Sequence, residues 1–165
     1  MLKRLALLLV LLFVIATACS PPGALEVGAP APDFELFDLN NRAVRLSDYL
    51  GRPVLINFWD TQCIYCLEEM PDLEAAFRQE AGKADGAVFL AVNVRDTAAR
   101  ARSFMNDNGY TIPVLMDAGN PTARAYDITA IPVTYIVDSA GIIRYVKLGM
   151  FRNLGEINAA LDLVR

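Results

Sequence analysis

Two apolar runs constrain this chain more than anything else in it. Val54–Trp59 (VLINFW) and Val88–Val94 (VFLAVNV) are nearly continuous in apolar residues and too short for ordinary helices. Runs of this kind suit central parallel strands covered on both faces. Between them Met70, Leu73 and Phe77 recur at helical spacing, with Glu68, Asp72 and Arg78 around the other side. Residues 54–94 therefore read as a strand–helix–strand unit, whose crossover is expected to be right-handed. A parallel pair bridged by a helix demands helices packed on a sheet, so the fold class is α/β.

The flanking sequence adds to this sheet. Phe34–Phe37 and Ala43–Leu46 flank Asn40-Asn41 and predict an N-terminal hairpin. Ser47 is placed to cap a short helical turn through Leu50, ended by Gly51. Thr97 caps a second helix with Ala101, Phe104 and Met105 on its inner face and Gly109 beyond its end. Pro113–Met116 predicts a short strand, followed by a helical turn near Thr122–Tyr126. Val133–Val137 and Ile142–Lys147, around Asp138 and Gly141, form a second hairpin. Asn153 caps a last helix carrying Leu154, Ile157, Leu161 and Val164.

The N-terminus is different in kind. Lys3 and Arg4 precede an apolar run, Leu5–Ala18, in a chain that is 55% apolar overall. The run falls short of the ~20 residues of a bilayer-spanning helix. A basic start, an apolar middle and the small-residue exit Ala16-Thr17-Ala18 describe a signal peptide over residues 1–18. Cys19 follows immediately, which resembles a bacterial lipoprotein signal in which Cys19 is lipidated. A plain cleavage after Ala18 is the other reading. Ser20–Ala31, rich in Pro and Gly, reads as a linker. The free tether is residues 19–25 and the domain is residues 26–165. Removing residues 1–18 takes away Lys3 and Arg4 and no acid, moving the net charge from −4 to −6. No dense basic patch remains, so nucleic acid is not expected as a partner.

Histidine is absent. That excludes Ser-His-Asp and Cys-His catalysis and His-dependent metal sites. The chemistry is left to Cys63-Ile64-Tyr65-Cys66, which stands just after a strand, where a helix begins. A helix start presents unpaired N–H groups and about +0.5 of partial charge, and both favour a thiolate over a thiol. Cys63 is expected to be exposed and nucleophilic and Cys66, one turn further in, to be shielded and to resolve mixed disulfides. Half a zinc site would need two further ligands, and Cys19 is the only other cysteine, so no metal and no cofactor is expected. A purely structural bridge closing so short a loop would constrain the unfolded chain little.

Asn57-Phe58-Trp59, Cys63-x-x-Cys66-x-x-Glu69-x-Pro71 and Ile131-Pro132-Val133-Thr134-Tyr135 together resemble the TlpA/ResA/CcmG branch of thioredoxin-like, AhpC/TSA-related proteins. The opening Gly28–Phe34 and Leu46-Ser47-Asp48 fit the same branch, so the resemblance covers about residues 26–165. It implies a thioredoxin-like fold, a mixed central sheet flanked by helices with the N-terminal hairpin as an extension. It implies a cis-proline at Pro132 facing the cysteines, with Ile131 offering its backbone to an extended substrate. By the same resemblance Trp59, Ile64 and Tyr65 join Ile131 and Pro132 as substrate-binding residues. Glu69 becomes a carboxylate able to move a proton at the thiol pair, against the plain alternative of a solvated helix-surface acid, and Pro71 a kink in the helix. Three departures stand out: Asn57 in place of thioredoxin's buried acid, Gln62 in place of the usual Trp, and Ile64-Tyr65 between the cysteines.

The function expected is a thiol–disulfide oxidoreductase, acting as a reductase of exported proteins with cysteine pairs, such as apocytochrome c. Its localisation would be the extracytoplasmic side of the cell envelope, anchored through Cys19 and fed by a membrane thiol–disulfide electron donor. Two alternatives remain. A peroxiredoxin-type peroxidase would want Thr three residues before its Cys, whereas Thr61 is two before Cys63. A copper- or thiol-binding module would want a wider cysteine spacing and a distant His.

Overall fold

The computed structural model describes residues 25–165. The leader and Cys19 lie outside the described residues. The sheet is built on β3 (Val54–Trp59), every residue of which is buried, and β4 (Val88–Asn93). They pair in parallel, Val54 opposite Val88 through Trp59 opposite Asn93, with α1 (Ile64–Ala81) between them in the chain. The full sheet has seven strands in the order β2-β1-β5-β4-β3-β6-β7. β1 (Glu35–Asp38) and β2 (Ala43–Arg45) form the N-terminal hairpin, and β1 adds antiparallel to β5 (Val114–Met116). β6 (Val133–Val137) lies antiparallel to β3, and β7 (Ile143–Leu148) closes the other edge.

Alternation along β3 and β4 divides the core in two, because successive side chains point to opposite faces. Leu55, Trp59, Phe89 and Ala91 pack with Met70, Leu73 and Ala76 of α1, Ala101 and Met105 of α2 (Ala98–Asn108), and Ile157 and Leu161 of α4 (Leu154–Leu161). Val54, Ile56, Phe58, Leu90 and Val92 face the other way, against Leu46, Ala123 of α3 (Pro121–Ala125), Tyr126 and Tyr135. Tyr126 is fully enclosed there and donates to the Pro32 carbonyl at 2.8 Å, while Tyr135 donates to the Tyr126 carbonyl at 2.9 Å.

Most of the expected caps are present. The Thr97 hydroxyl accepts from Arg100 N and the Asn153 side chain from Glu156 N, and Gly109 ends α2 in the left-handed region at φ 68°. Ser47 is not a cap. The 3-10 turn starts one residue earlier, at Leu46, and Asp48 reaches back to the Arg45 N–H at 3.2 Å. The Ser47 N–H is instead held by Asp33 Oδ1 at 3.0 Å. The end of the supposed linker is also fastened: Gly28 N donates to the Ile143 carbonyl and Ala31 N to that of Gly141.

Candidate active site

α1 starts where β3 has run out, and its N-cap is Cys63. The Cys63 backbone is extended (φ −86°, ψ 105°), and its sulfur accepts the Cys66 N–H at 3.2 Å. This N–H is one of the helix-start donors with no backbone partner. An N-cap is normally an oxygen-bearing side chain. Here a sulfur fills the role, and the interaction strengthens when that sulfur is a thiolate. Cys63 is half-buried, less open than expected, and Cys66 is fully buried, as expected. The two are joined as a disulfide with Cα atoms 5.2 Å apart.

A second element meets this helix start. The Ile131–Pro132 peptide is cis, and the Ile131 carbonyl oxygen lies 3.6 Å from Cys63 Sγ. The loop is held from behind, where Gly149 N donates to the Pro132 carbonyl at 3.0 Å. Beside Ile131 runs a groove of about 160 Å³ bordered by Val94, Arg95, Ala123, Ile128 and Thr129. Ile64 and Tyr65 stand on the cysteine side, 63% and 58% exposed, which is unusual for large apolar side chains and leaves them free to touch a partner. Trp59 is different. It is fully enclosed, packs on Phe104 at 5.5 Å and offers no surface to a substrate. Its Nε1 has no hydrogen-bond partner among the described residues. A larger hollow of about 240 Å³, lined by Tyr49, Leu50 and Arg52, lies at the opposite end of β3, away from the cysteines.

The loop between β3 and Cys63 is clamped by two carboxylates that the sequence reading passed over. Asp96 accepts from both Thr61 N (2.8 Å) and Thr61 Oγ1 (2.7 Å), and from Asn93 Nδ2 (2.8 Å). Asp60, fully buried, accepts from Gln62 N at 2.8 Å and is ion-paired with Arg95. No local pattern marks these residues, because each is held by a partner from the other loop, Asp60 by Arg95 after β4 and Asp96 by Thr61 after β3. The Thr61 hydroxyl is committed to Asp96, which leaves it no role at Cys63 of the peroxidase kind.

Glu69 is not a surface acid. Three residues beyond Cys66 on α1, it is 1% exposed. Its Oε1 accepts from Asn57 Nδ2 and its Oε2 from Phe151 N, both at 2.8 Å. Burial pushes its carboxyl up to about 7, outweighing the hydrogen bonds from Phe151 and Asn57 and the attraction of Lys147. A carboxyl that titrates near neutrality is suited to proton transfer. Pro71 lies within α1 and cannot donate to the preceding turn.

The AhpC/TSA family model matches residues 27–146. The chain belongs to the AhpC/TSA family. Within it, the chain is 35% identical over 151 residues to the thiol-disulfide oxidoreductase ResA of Geobacillus kaustophilus, covering 88% of this chain and 86% of the relative. It is 32% identical over 126 residues to ResA of Bacillus subtilis, covering 76% and 69%. Among solved structures it resembles a putative thiol:disulfide interchange protein DsbE from Chlorobium tepidum, with TM-score 0.74, 24% identity and coverage of 86% and 100%. It also resembles a secreted thiol-disulfide isomerase from Corynebacterium glutamicum, with TM-score 0.73, 28% identity and coverage of 88% and 95%. The fold is thioredoxin-like, as the resemblance implied. With its cysteine pair at disulfide distance, this AhpC/TSA member is a thiol–disulfide oxidoreductase.

Proposed function

We propose that this oxidoreductase works as a reductase of exported proteins on the outer side of the cytoplasmic membrane, with Glu69 carrying the proton of the second step. The observation that carries the reading is the Cys63 sulfur at the α1 N-cap, half-open to solvent beside the Ile131 carbonyl, with Cys66 closed behind it.

The reaction follows from that arrangement. The Cys63 thiolate attacks one sulfur of a substrate disulfide. That S–S bond breaks, the released substrate thiolate takes a proton from water, and a Cys63–substrate mixed disulfide remains. The Cys66 thiol then gives its proton to the Glu69 carboxylate and attacks Cys63 Sγ. The second substrate sulfur leaves as a thiolate, which is protonated in turn, and the Cys63–Cys66 disulfide forms. Two electrons have passed to the substrate, and a membrane-bound dithiol donor must return them. Extended substrate segments would lie along the Ile131–Pro132 loop, between the groove and the Ile64–Tyr65 surface.

The reductive direction is supported by the absence of a histidine between the cysteines, a residue that would stabilise the thiolate and favour oxidation. Envelope placement is supported by the leader and by Cys19, and an exported reductase needs a nearby electron source because that compartment is oxidising. Apocytochrome c is one substrate of the right chemistry. Equilibrating the Cys63–Cys66 couple against glutathione tests the direction: a potential near −270 mV supports a reductase, and one near −120 mV overturns it. Trapping with Cys66→Ala tests the substrate class, since a reductase of this kind must accumulate mixed disulfides with exported proteins.

A further inference from the structure

Behind the cysteines lies a buried polar cluster with one hydrogen-bonding atom to spare. Asn57 on β3 and Thr134 on β6 are directly opposite each other across the antiparallel pair. Asn57 Nδ2 donates to Glu69 Oε1 at 2.8 Å and to Thr134 Oγ1 at 2.9 Å. Asn57, Glu69 and Thr134 are all buried to 1% exposure or less. Yet Asn57 Oδ1, equally buried, has no partner among the described residues. A buried amide oxygen left unpaired is costly and calls for an explanation.

The hydrogen-bond inventory supplies one. With Glu69 ionised, both carboxylate oxygens are acceptors and the amide N–H groups belong where they are. With Glu69 protonated, its O–H needs an acceptor, and an N–H facing it becomes a clash of donors. A half-turn of the Asn57 amide exchanges Nδ2 and Oδ1. Oδ1 then lies at hydrogen-bond distance from both Glu69 Oε1 and Thr134 Oγ1, and accepts from the protonated acid and from the hydroxyl. Each orientation leaves one end of the amide without a partner, and the protonation state of Glu69 decides which end bears that cost.

We propose that Asn57 is a positioning residue for the Glu69 proton, its amide turning by half a revolution as Glu69 gains or loses that proton, with Thr134 following as acceptor or donor. The cluster thus accepts the proton from Cys66 and releases it without abandoning a hydrogen bond to the carboxyl group. This rests on Glu69 being the proton carrier proposed above. The charged and titratable surroundings are sparse. Lys147 of β7 faces the cluster and is itself paired with Glu156 of α4 at 3.3 Å. The cysteine pair stands at the head of α1, and at this level of the sheet β3, β4 and β6 contribute the uncharged Asn57, Ala91 and Thr134. Lys147 therefore biases the midpoint of the titration but cannot replace the acceptor the proton needs.

The test is the side-chain amide of Asn57, followed by ¹H–¹⁵N NMR in the oxidised protein from pH 5 to 9, beside the ¹³C shift of the Glu69 carboxyl. Both are expected to move with one midpoint. In Glu69→Gln, whose amide donates as the protonated acid would, the Asn57 signals are expected to be locked at their low-pH positions. Asn57 signals that stay still while Glu69 titrates would overturn the proposal, as would Glu69→Gln signals matching the high-pH form. Asn57→Leu removes the partner of both states, and the charged state loses more, so the midpoint is expected to rise by about one pH unit. An unmoved midpoint overturns the proposal, and the wild-type titration decides the matter if that variant does not fold. Turnover separates the two ideas: full activity of Glu69→Gln removes the proton-carrier role, whereas a slow Glu69→Gln with a motionless Asn57 amide removes only the inference drawn here.

Discussion

The Cys66 N–H points at the Cys63 sulfur across 3.2 Å while the two residues are joined as a disulfide, a contact that can persist to the thiolate after reduction. This hydrogen bond and the field of α1 both favour the anion at position 63. The Cys63 thiol of the reduced protein is expected to ionise more readily than a free cysteine, as read from thiolate absorbance near 240 nm in Cys66→Ser. Cys63→Ser should lose all disulfide reduction. Cys66→Ser should still attack, and mass spectrometry should find it as a stable mixed disulfide.

Glu69 makes stability fall as pH rises. Its native pKa, about 7, lies above the 4.5 of an unperturbed glutamate, so between those values the native state holds a proton that the unfolded chain releases. Stability contributed by this residue is complete below about pH 4.5 and is lost progressively up to about pH 7. The loss is on the order of 3 kcal/mol. Glu69→Gln, with no charge to bury, should remove that slope. Urea denaturation of both proteins at pH 5 and pH 8 measures it, and a variant with the wild-type slope would contradict the assignment.

The Thr61–Asp96 clamp holds the loop before Cys63 by charge-assisted hydrogen bonds. Asp96→Ala leaves the Thr61 and Asn93 donors unpaired and should cost about 2–4 kcal/mol. Thr61→Val should cost about 1 kcal/mol, and Thr61→Ser should restore most of it. Chemical denaturation gives the energies. The potential of the cysteine pair should shift with Thr61→Val and return with Thr61→Ser, since the clamp positions the sulfur.

Ile64 and Tyr65 are exposed and outside the core, so replacing them should leave the fold intact. Ile64→Ser and Tyr65→Ser should change stability by less than about 0.5 kcal/mol. Their effect should fall on a protein disulfide substrate, with KM raised about 3- to 10-fold and reactivity toward a small disulfide nearly unchanged. An equal loss on both substrates would assign them to the chemistry and not to binding.

Glu69 and Asn57 show where local pattern stops being informative. Glu69 lies three residues beyond Cys66 and four before Leu73, on the buried stripe of α1, so its spacing turns it inward but says nothing of the partners that make burial of an acid tolerable. The seal comes from Phe151, 82 residues away, whose N–H claims its second oxygen. Asp60 and Asp96 carry no local mark for a similar reason, since Arg95 and Thr61 reach them only across the β3–β4 pairing. Trp59, grouped with the substrate-binding residues by its place in the motif, turns inward because strand alternation puts it on the face that α1 and α2 cover.

What the chain's own order of residues determined is local or periodic. The β3–α1–β4 unit, the caps at Thr97 and Asn153, and the cysteine pair at a helix start depend on neighbours within a few turns, where propensity and burial pattern act directly. Tertiary structure alone decided which buried carboxyl titrates near pH 7, which carboxylates clamp the loop before Cys63, and which aromatic faces inward. Those outcomes hang on desolvation and on hydrogen-bond partners from distant segments, and neither quantity exists until the sheet has brought β3, β6 and the start of α4 together.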